Sequence, residues 1–356
     1  MSNSSNTITA SLHHFSNFVI LIDRIMKRKQ TLCLAFTVVF CPLIMACSTI
    51  NKMAIKAVSN ALTIEGNSDV FTSDSDPVLV GDALPFTIKM YESLLQANPD
   101  HRGLLRTTGS LFVMYANAFV QKPAEQLPRE MYAEKQAEME RAKKLYLRGM
   151  ELLYRGLDLK YKGFSTAFQK DNLPEILAKM KKEDVSSLYW AAVGGVSAYS
   201  LEPFDLSLGI RLEEFLALID RAYELDPNFN SGALDDFLLL FYASVPEMMG
   251  GSRDKAGIYF KKALEKSGGL LASPYVSFAQ AVSIPEQDYD TFKAYLDAAL
   301  AIDPDADPEN RLVNIISQRK ARYLLDSASL FFFGIGNDDD WDYDDWDYDD
   351  WDDDEW

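Results

Sequence analysis

The chain predicts an all-α protein: a helical-hairpin, tetratricopeptide-like repeat superhelix with a capping C-terminal helix. Three observations carry this. Apolar residues recur at helical spacing through most of the stretch from Leu84 to Leu330. The phrase Ala222-Tyr223-Glu224-Leu225-Asp226-Pro227 returns as Ala299-Leu300-Ala301-Ile302-Asp303-Pro304, each time closing an amphipathic run. The two prolines stand two repeat units of roughly 38 residues apart, a period typical of stacked helix hairpins. Between them, Ala256, Phe260 and Ala263 end a third run, which Ser267-Gly268-Gly269 stops.

The N-terminus reads as an address. Met26-Lys27-Arg28-Lys29 is a positive n-region, and Thr31 to Met45 is an apolar run too short to span a bilayer comfortably. The run ends in Ile44-Met45-Ala46-Cys47, which resembles a bacterial lipobox, so Cys47 is the expected lipidation site. Thiol acylation there would anchor the chain stably to a membrane, because each buried methylene contributes about 0.8 kcal/mol. The plainer alternative is an uncleaved signal anchor with an ordinary buried cysteine. Residues 1–25 fit neither part, and Met26 is the expected start. Residues 1–46 are therefore excluded from the fold, and residues 47–80 read as a polar tether.

The helical domain is expected over residues 81–330. A first helix runs from Leu84-Pro85 to Gln96 and stops at Asn98-Pro99, since the residue before proline is pushed out of the helical region. The return helix, Leu104 to Val120, is crowded with Leu111, Phe112, Met114, Tyr115 and Phe119, and so is buried on several faces. Pro123 and Pro128 are expected to break the chain. Arg129 to Lys160 then forms a long helix whose first half alternates Glu with Lys and Arg on a solvated face. Pro174 begins a short helix. Three hairpins follow: Ser187–Tyr199 with Leu212–Tyr223, Ser231–Val245 with Ser252–Lys266, and Pro274–Val282 with Tyr289–Ile302. Small residues such as Ala222, Ala256, Ala263 and Ala299 let helices approach closely, and Gly194-Gly195 reads as a close helix contact. Pro308 opens the last helix, with Arg311, Gln318, Arg319 and Lys320 outward as a polar cap.

Composition limits the chemistry. With 356 residues, 48% of them hydrophobic, the chain can bury a sizeable core. Its three cysteines, at 33, 41 and 47, are all near the N-terminus, so the body has no disulfide framework. Among three histidines only His101, an expected helix-start residue, lies beyond the leader. Cys/His metal clusters and Ser–His or Cys–His nucleophile systems thus lack material; no metal, no cofactor and no enzymatic activity are expected. An enzyme using buried carboxylates is the rival from another class, but nothing marks such a pair. Gly194-Gly195 and Met248-Met249-Gly250-Gly251 lack the preceding strand and Lys-Ser/Thr ending of a phosphate loop.

The formal charge is −18, and Asp338 to Trp356 carries 12 Asp, one Glu and four of the five tryptophans. Without this tail the body is only mildly acidic, which excludes nucleic acid as a partner. Like charges at that density cannot pack, so residues 331–356 are expected to form an acidic disordered tail. Loose divalent-cation binding, or docking on a basic partner, is the functional alternative to simple solvation. Leu330 to Ile335, just before it, is expected to tuck against the last repeat.

The repeat endings, Ala256-x3-Phe260-x2-Ala263, the segment Tyr189-Trp190-Ala191-Ala192 and the lipobox at Cys47 together resemble the TatT component family of TRAP transporters, tetratricopeptide-repeat periplasmic lipoproteins. The resemblance covers roughly Cys47 to Leu330. It implies an accessory protein, lipid-anchored on the periplasmic face of an envelope membrane, the outer membrane being favoured. It also implies a TRAP substrate-binding protein as partner, self-association as a homotrimer, and a cavity or channel in each protomer. A general envelope scaffold unconnected to transport is the alternative. Trp190, Tyr199, Phe237, Phe241 and Tyr242 could line an apolar ligand cavity, but at helical spacing the core reading is favoured.

Overall fold

A computed structural model describes residues 69–335 of the chain, together with Met26, Ser59, Asn60 and Leu62. Contacts divide the chain at Ala61, and the fold described below belongs to the unit that begins at Leu62. Among the described residues it is built from helices alone. The principal ones are α1 (Pro77–Ala97), α2 (Arg102–Tyr115), α3 (Tyr132–Lys160), α4 (Val185–Leu201), α5 (Leu212–Leu225), α6 (Ala233–Ser244), α7 (Arg253–Lys266), α8 (Ser273–Phe278), α9 (Tyr289–Ala301) and α10 (Arg311–Asp326).

The ends of the helices follow from local chemistry. Asp76 starts α1, its Oδ1 accepting from the backbone N–H groups of Val78 and Leu79 at 2.9 and 3.2 Å. The helix therefore begins at Pro77, takes in the end of the expected tether, and carries Pro85 inside it instead of starting there. His101 caps α2, with Nδ1 accepting from Leu104 N–H at 3.0 Å. Pro123 does not break the chain as expected. α2 widens into a π-helical stretch at Ala116–Gln121 and resumes as α-helix over Lys122–Glu125. In that wider turn Lys122 N–H reaches Asn117 O, and a proline placed just after it lacks only a donor that begins a new turn. The break falls at Gln126–Pro128.

Helices α2, α4, α6 and α8 form an inner layer in successive contact, and α3, α5, α7 and α9 pack outside them, so each expected hairpin is present. Small residues set the spacing. A Cβ on Gly109 of α2 would stand 2.8 Å from Gly149 O of α3, so these two helices touch backbone to backbone. A Cβ on Gly195 of α4 would stand 2.3 Å from the Phe215 ring of α5. Ala222, Ala256, Ala263 and Ala299 are all buried, as the repeat endings require.

α10 departs from the outward-facing cap. Of the four residues expected outward only Arg319 is exposed; Arg311 is half-buried, and Gln318 and Lys320 are buried beside Leu312, Asn314, Ser317, Ala321 and Leu324. Gln318 Nε2 donates to Ala299 O and Ile302 O at 3.1 and 2.6 Å, satisfying carbonyls that the end of α9 leaves open. Asn314 does the same for the α7–α8 turn, accepting from Ala272 N–H and donating to Leu270 O, both at 2.9 Å. The other side of α10 reaches the beginning of the domain: Leu312 packs with Val80, Leu84 and Ile88 of α1, and Arg311 donates to Ser73 O at 2.8 Å. Lys320 pairs with Glu125 at 2.8 Å. The repeats thus close into a ring, with α10 completing the inner wall between α8 and α1. Beyond it, Phe332 packs on Phe292, 4.8 Å between centroids, as the expected tuck of this segment requires, while Phe333 is left exposed.

Buried acids tie the layers together. Asp184, at the entry to α4, accepts from Lys160 Nζ at 2.8 Å, Tyr161 O–H at 2.7 Å and Lys181 N–H at 3.0 Å. Asp235, in the first turn of α6, accepts from Lys266 Nζ at 2.6 Å and Tyr223 O–H at 3.1 Å. Glu214 accepts from Tyr154 O–H at 2.6 Å and from Arg211. Burial alone would raise the Asp184 carboxyl, but its bonds from Lys160, Tyr161 and Lys181 N–H outweigh that and hold it below the usual aspartate range.

Two consequences are measurable. Lys160→Met should destabilise the fold by about 3 kcal/mol at pH 7, because it removes the nearer cation from a buried carboxylate and leaves only Arg102, at 3.4 Å. A depressed carboxyl contributes stability only above its unfolded pKa, and loses it as pH falls through the folded one. The difference between variant and wild type in denaturant unfolding should therefore shrink below about pH 4, the range where an unfolded aspartate protonates; a constant difference would count against this account of Asp184. Gly195→Val should cost about 3 kcal/mol or more by driving its side chain into the Phe215 ring, seen as a lowered midpoint of thermal unfolding.

Candidate functional site

The inner wall is where polar side chains meet without an obvious structural task. Stripes of half-buried residues run along its helices at helical spacing: Tyr189, Val193 and Ser197 on α4, and Ser273 and Ser277 on α8. On such a wall the middle of each stripe would be apolar if it served packing alone. Instead Lys122, Tyr189, Asp236, Ser273 and Ser277 converge there from the end of the α2 segment, α4, α6 and α8.

Neighbouring charges are of two kinds. Glu125 is fully engaged: Oε1 accepts from Gln121 at 2.8 Å and Oε2 from Lys320 at 2.8 Å, while its backbone carbonyl accepts from Lys135 at 3.1 Å and Tyr323 at 3.3 Å. Gln121 in turn accepts from the buried Tyr146 O–H at 2.6 Å. This is a closed polar network that locks α10 onto the α2 segment. Lys122 and Asp236 are different. Burial pulls the Lys122 ammonium below the usual lysine range, against the opposing attraction of Glu125 and Asp236. Burial likewise pushes the Asp236 carboxyl up, against the opposing influence of the Ser277 and Ser273 hydroxyls and the Lys122 charge. The same burial, with the Asp236 charge nearby, raises the Tyr189 hydroxyl.

The aromatic residues read from the sequence as possible cavity lining are mostly core. Tyr199, Phe237, Phe241 and Tyr242 are buried within the main hydrophobic cluster. Phe237 stacks on Phe241 at 6.2 Å, and Tyr242 stacks on Tyr259 of α7 at 5.6 Å, which turns it toward the outer layer. Tyr199 O–H reaches Met249 Sδ at 3.8 Å. Trp190 is half-buried and meets the inner-wall Tyr189 edge-on at 5.1 Å. Cys47 and the acidic tail lie outside the described residues. An open cleft of about 670 Å³ between α3 and the segment entering α5, lined by Leu147, Phe168, Leu208 and Arg211 among others, involves none of these residues.

Lys122, Asp236 and Tyr189 were not legible as a set in the sequence. Asp235-Asp236 looks like an ordinary acidic first turn complementing the helix dipole, and Lys122-Pro123 looks like a chain break. The available signal was a lysine and an aspartate each set beside an apolar run.

The class is now defined: an all-α helical-repeat protein whose hairpins close around an inward-facing wall, with no strand among its described residues. Comparison with known sequences gives the particular family. The profile of the TRAP transporter T-component family matches residues 73–332, and the chain belongs to that family. It is similar to an "Uncharacterized protein" of Treponema pallidum (strain Nichols), with 35% identity over 322 residues, which is 86% of this chain and 99% of the relative. The family is one of transport accessory components and not of enzymes, and association with TRAP transport implies an envelope location. No helix among the described residues is long and apolar enough to cross a membrane.

If the aromatic cluster is core, Phe241→Ala should cost about 3–5 kcal/mol in denaturant unfolding. Wild-type stability in that variant would reassign Phe241 to a cavity wall.

Proposed function

We propose that this protein is a lipid-anchored periplasmic accessory subunit that docks a TRAP substrate-binding protein and holds the transported ligand within its helical ring. The observation that carries the reading is the family match across residues 73–332, which spans the whole ring from Ser73 to Phe332. Support for the interior as the ligand's place comes from the closed inner wall: a site bounded by several packed helices holds its polar groups in fixed positions, which ligand recognition needs. Support for the anchor comes from Ala46-Cys47 after an apolar run. No step of bond-making is invoked; binding, orientation and hand-over are sufficient for an accessory of transport.

The partner reading is tested by pulling down the full chain from envelope extracts. Co-purification of a TRAP substrate-binding protein is expected, and its repeated absence alongside another envelope partner would favour a general scaffold. Light scattering on the purified protein should give the mass of a trimer. Replacing Cys47 by Ala should abolish incorporation of labelled fatty acid and release the protein from the membrane fraction.

A further inference from the structure

We propose that the outer face of α7 is the docking surface for the chain's own acidic tail, Asp338 to Trp356. The occupant is the tail of the same molecule, laid back over the outer layer from the point where the chain leaves the fold. The contact is independent of the partner and ligand readings above.

The first ground is the character of the face. α7 carries five cations, Arg253, Lys255, Lys261, Lys262 and Lys266, against two acids, on a body that stays acidic even without its tail. Three of these cations rest on rings. Lys255 Nζ lies 4.7 Å from the centre of the Tyr242 ring, Lys262 Nζ 4.7 Å from that of Tyr259, and Lys266 Nζ 4.3 Å from that of Tyr223. The rings form a ladder between α5, α6 and α7: Tyr242 and Tyr259 stack at 5.6 Å, and Tyr223 meets Tyr259 edge-on at 6.5 Å. Lys266 is paired with Asp235, but Lys255, Lys261 and Lys262 have no carboxylate within 4.0 Å among the described residues. Asp220 of α5 attracts Lys255 without pairing to it. The cations of α3 are different, since Lys143, Lys144, Arg148 and Lys160 each hold a carboxylate. A ring attracts an ammonium without using its N–H donors, so the lysines of α7 can still bond an oxyanion. Ile258, half of it open to solvent, adds apolar surface beside them.

The second ground is the chemistry of the tail. Its tryptophans stand at every fifth position, 341, 346, 351 and 356, and nearly every residue between them is an aspartate or a tyrosine. Carboxylates answer the lysines, and the rings pack on Ile258 and the tyrosine ladder. A plain polyacid would answer only the charge, and an apolar segment only the rings. The family match ends at residue 332, so this contact belongs to the present chain and not to the fold it shares with its relatives.

The third ground is where the chain leaves the fold. Phe333 N–H donates to Gln287 Oε1 at 3.0 Å, and Gln287 Nε2 donates to Phe331 O at 2.9 Å, so one side chain fixes the exit. The residue before it, Glu286, accepts from Arg253, the first residue of α7, at 2.5 Å. The exit therefore lies beside the start of the basic face. About 20 residues follow Ile335, enough to reach about 65 Å when extended. The 14 residues of α7 span about 21 Å. One five-residue unit of the tail, about 16 Å when extended, covers most of that length.

The test uses the full chain. Carbodiimide, which joins a carboxylate to an amine in direct contact, is applied to an equal mixture of unlabelled and isotope-labelled protein, and the links are mapped by mass spectrometry. Links from tail carboxylates to Lys255, Lys261 or Lys262 within one isotopic species are expected. Mixed-species links alone would give the face to the tail of a second copy and overturn the proposal; so would tail links that miss α7. Acrylamide quenching of tryptophan emission reads the same contact, since four of the five tryptophans lie in the tail. Raising the salt from about 0.01 M to about 1 M shortens the Debye length from about 30 Å to about 3 Å, and should raise quenching of the wild type about twofold. Lys255→Gln combined with Lys262→Gln should lower the ratio of docked to free tail by about 5–30-fold, the effect of a few surface ion contacts, and show the high-salt quenching already at low salt. Arg319→Gln combined with Arg322→Gln removes the same charge from the exposed side of α10 and should behave as wild type. Quenching that ignores salt, or that changes equally in the α7 and α10 variants, would sink the proposal.

Discussion

The seating of α10 on the start of the helical domain is the constraint on which the rest depends. A stack of four hairpins has two raw ends, each offering an apolar face and open backbone groups to water. Repeat proteins cover such ends with polar capping units. Here the two ends cover each other: Leu312 lies among Val80, Leu84 and Ile88, and the Lys320–Glu125 pair is held in a network that also takes in Gln121, Tyr146 and Tyr323. The polar contacts fix register, because a buried charge pair tolerates only one alignment, while the apolar contacts supply most of the driving force. Closure also decides what the inner wall is. In an open stack the residues of α2, α4, α6 and α8 would line a concave groove facing solvent; with α10 in place they face one another.

Much of this was legible in the sequence because it depends on local rules. Helical spacing, the Asp-Pro endings and the small residues at helix contacts located the hairpins from Ser187 to Ile302, and Gly194-Gly195 was recognisable as a close approach. The errors have a common physical cause. Pro85 was read as a helix start and Pro123 as a break because proline is costly inside an ideal helix. An aspartate cap upstream carries the helix through the first, and a π-helical turn accommodates the second. Gln318 and Lys320 were read as outward because they are polar, whereas their partners, the carbonyls at the end of α9 and Glu125, come from distant parts of the chain. A sequence shows which residues can be buried at no electrostatic cost; it does not show which polar residues have found a partner. The same reason hid Lys122 and Asp236, whose significance lies in having found none.

The polar groups of the interior therefore fall into two populations. Asp184 and Asp235 sit where an inner and an outer helix meet and Glu214 where the outer helices α3 and α5 meet, each with a cation and a tyrosine hydroxyl directed at it, and they act as rivets between helices. Lys122 and Asp236 sit on the inner face, where no second layer can supply a partner. This division follows from geometry. A ring of hairpins has one interface between its layers, which the chain can complete by itself, and one enclosed surface, which it cannot.

Closure has a further consequence for how the protein is made. Lys320 and Glu125 are 195 residues apart in sequence, and Arg311 and Ser73 are 238 apart. Contacts of such separation form slowly, since the loop between them must first be ordered. An open solenoid can grow one unit at a time, each stabilised by the last. In this protein the edge of α1 stays uncovered until α10 has been made, so a helix from the far end of the domain is the one that shields its first.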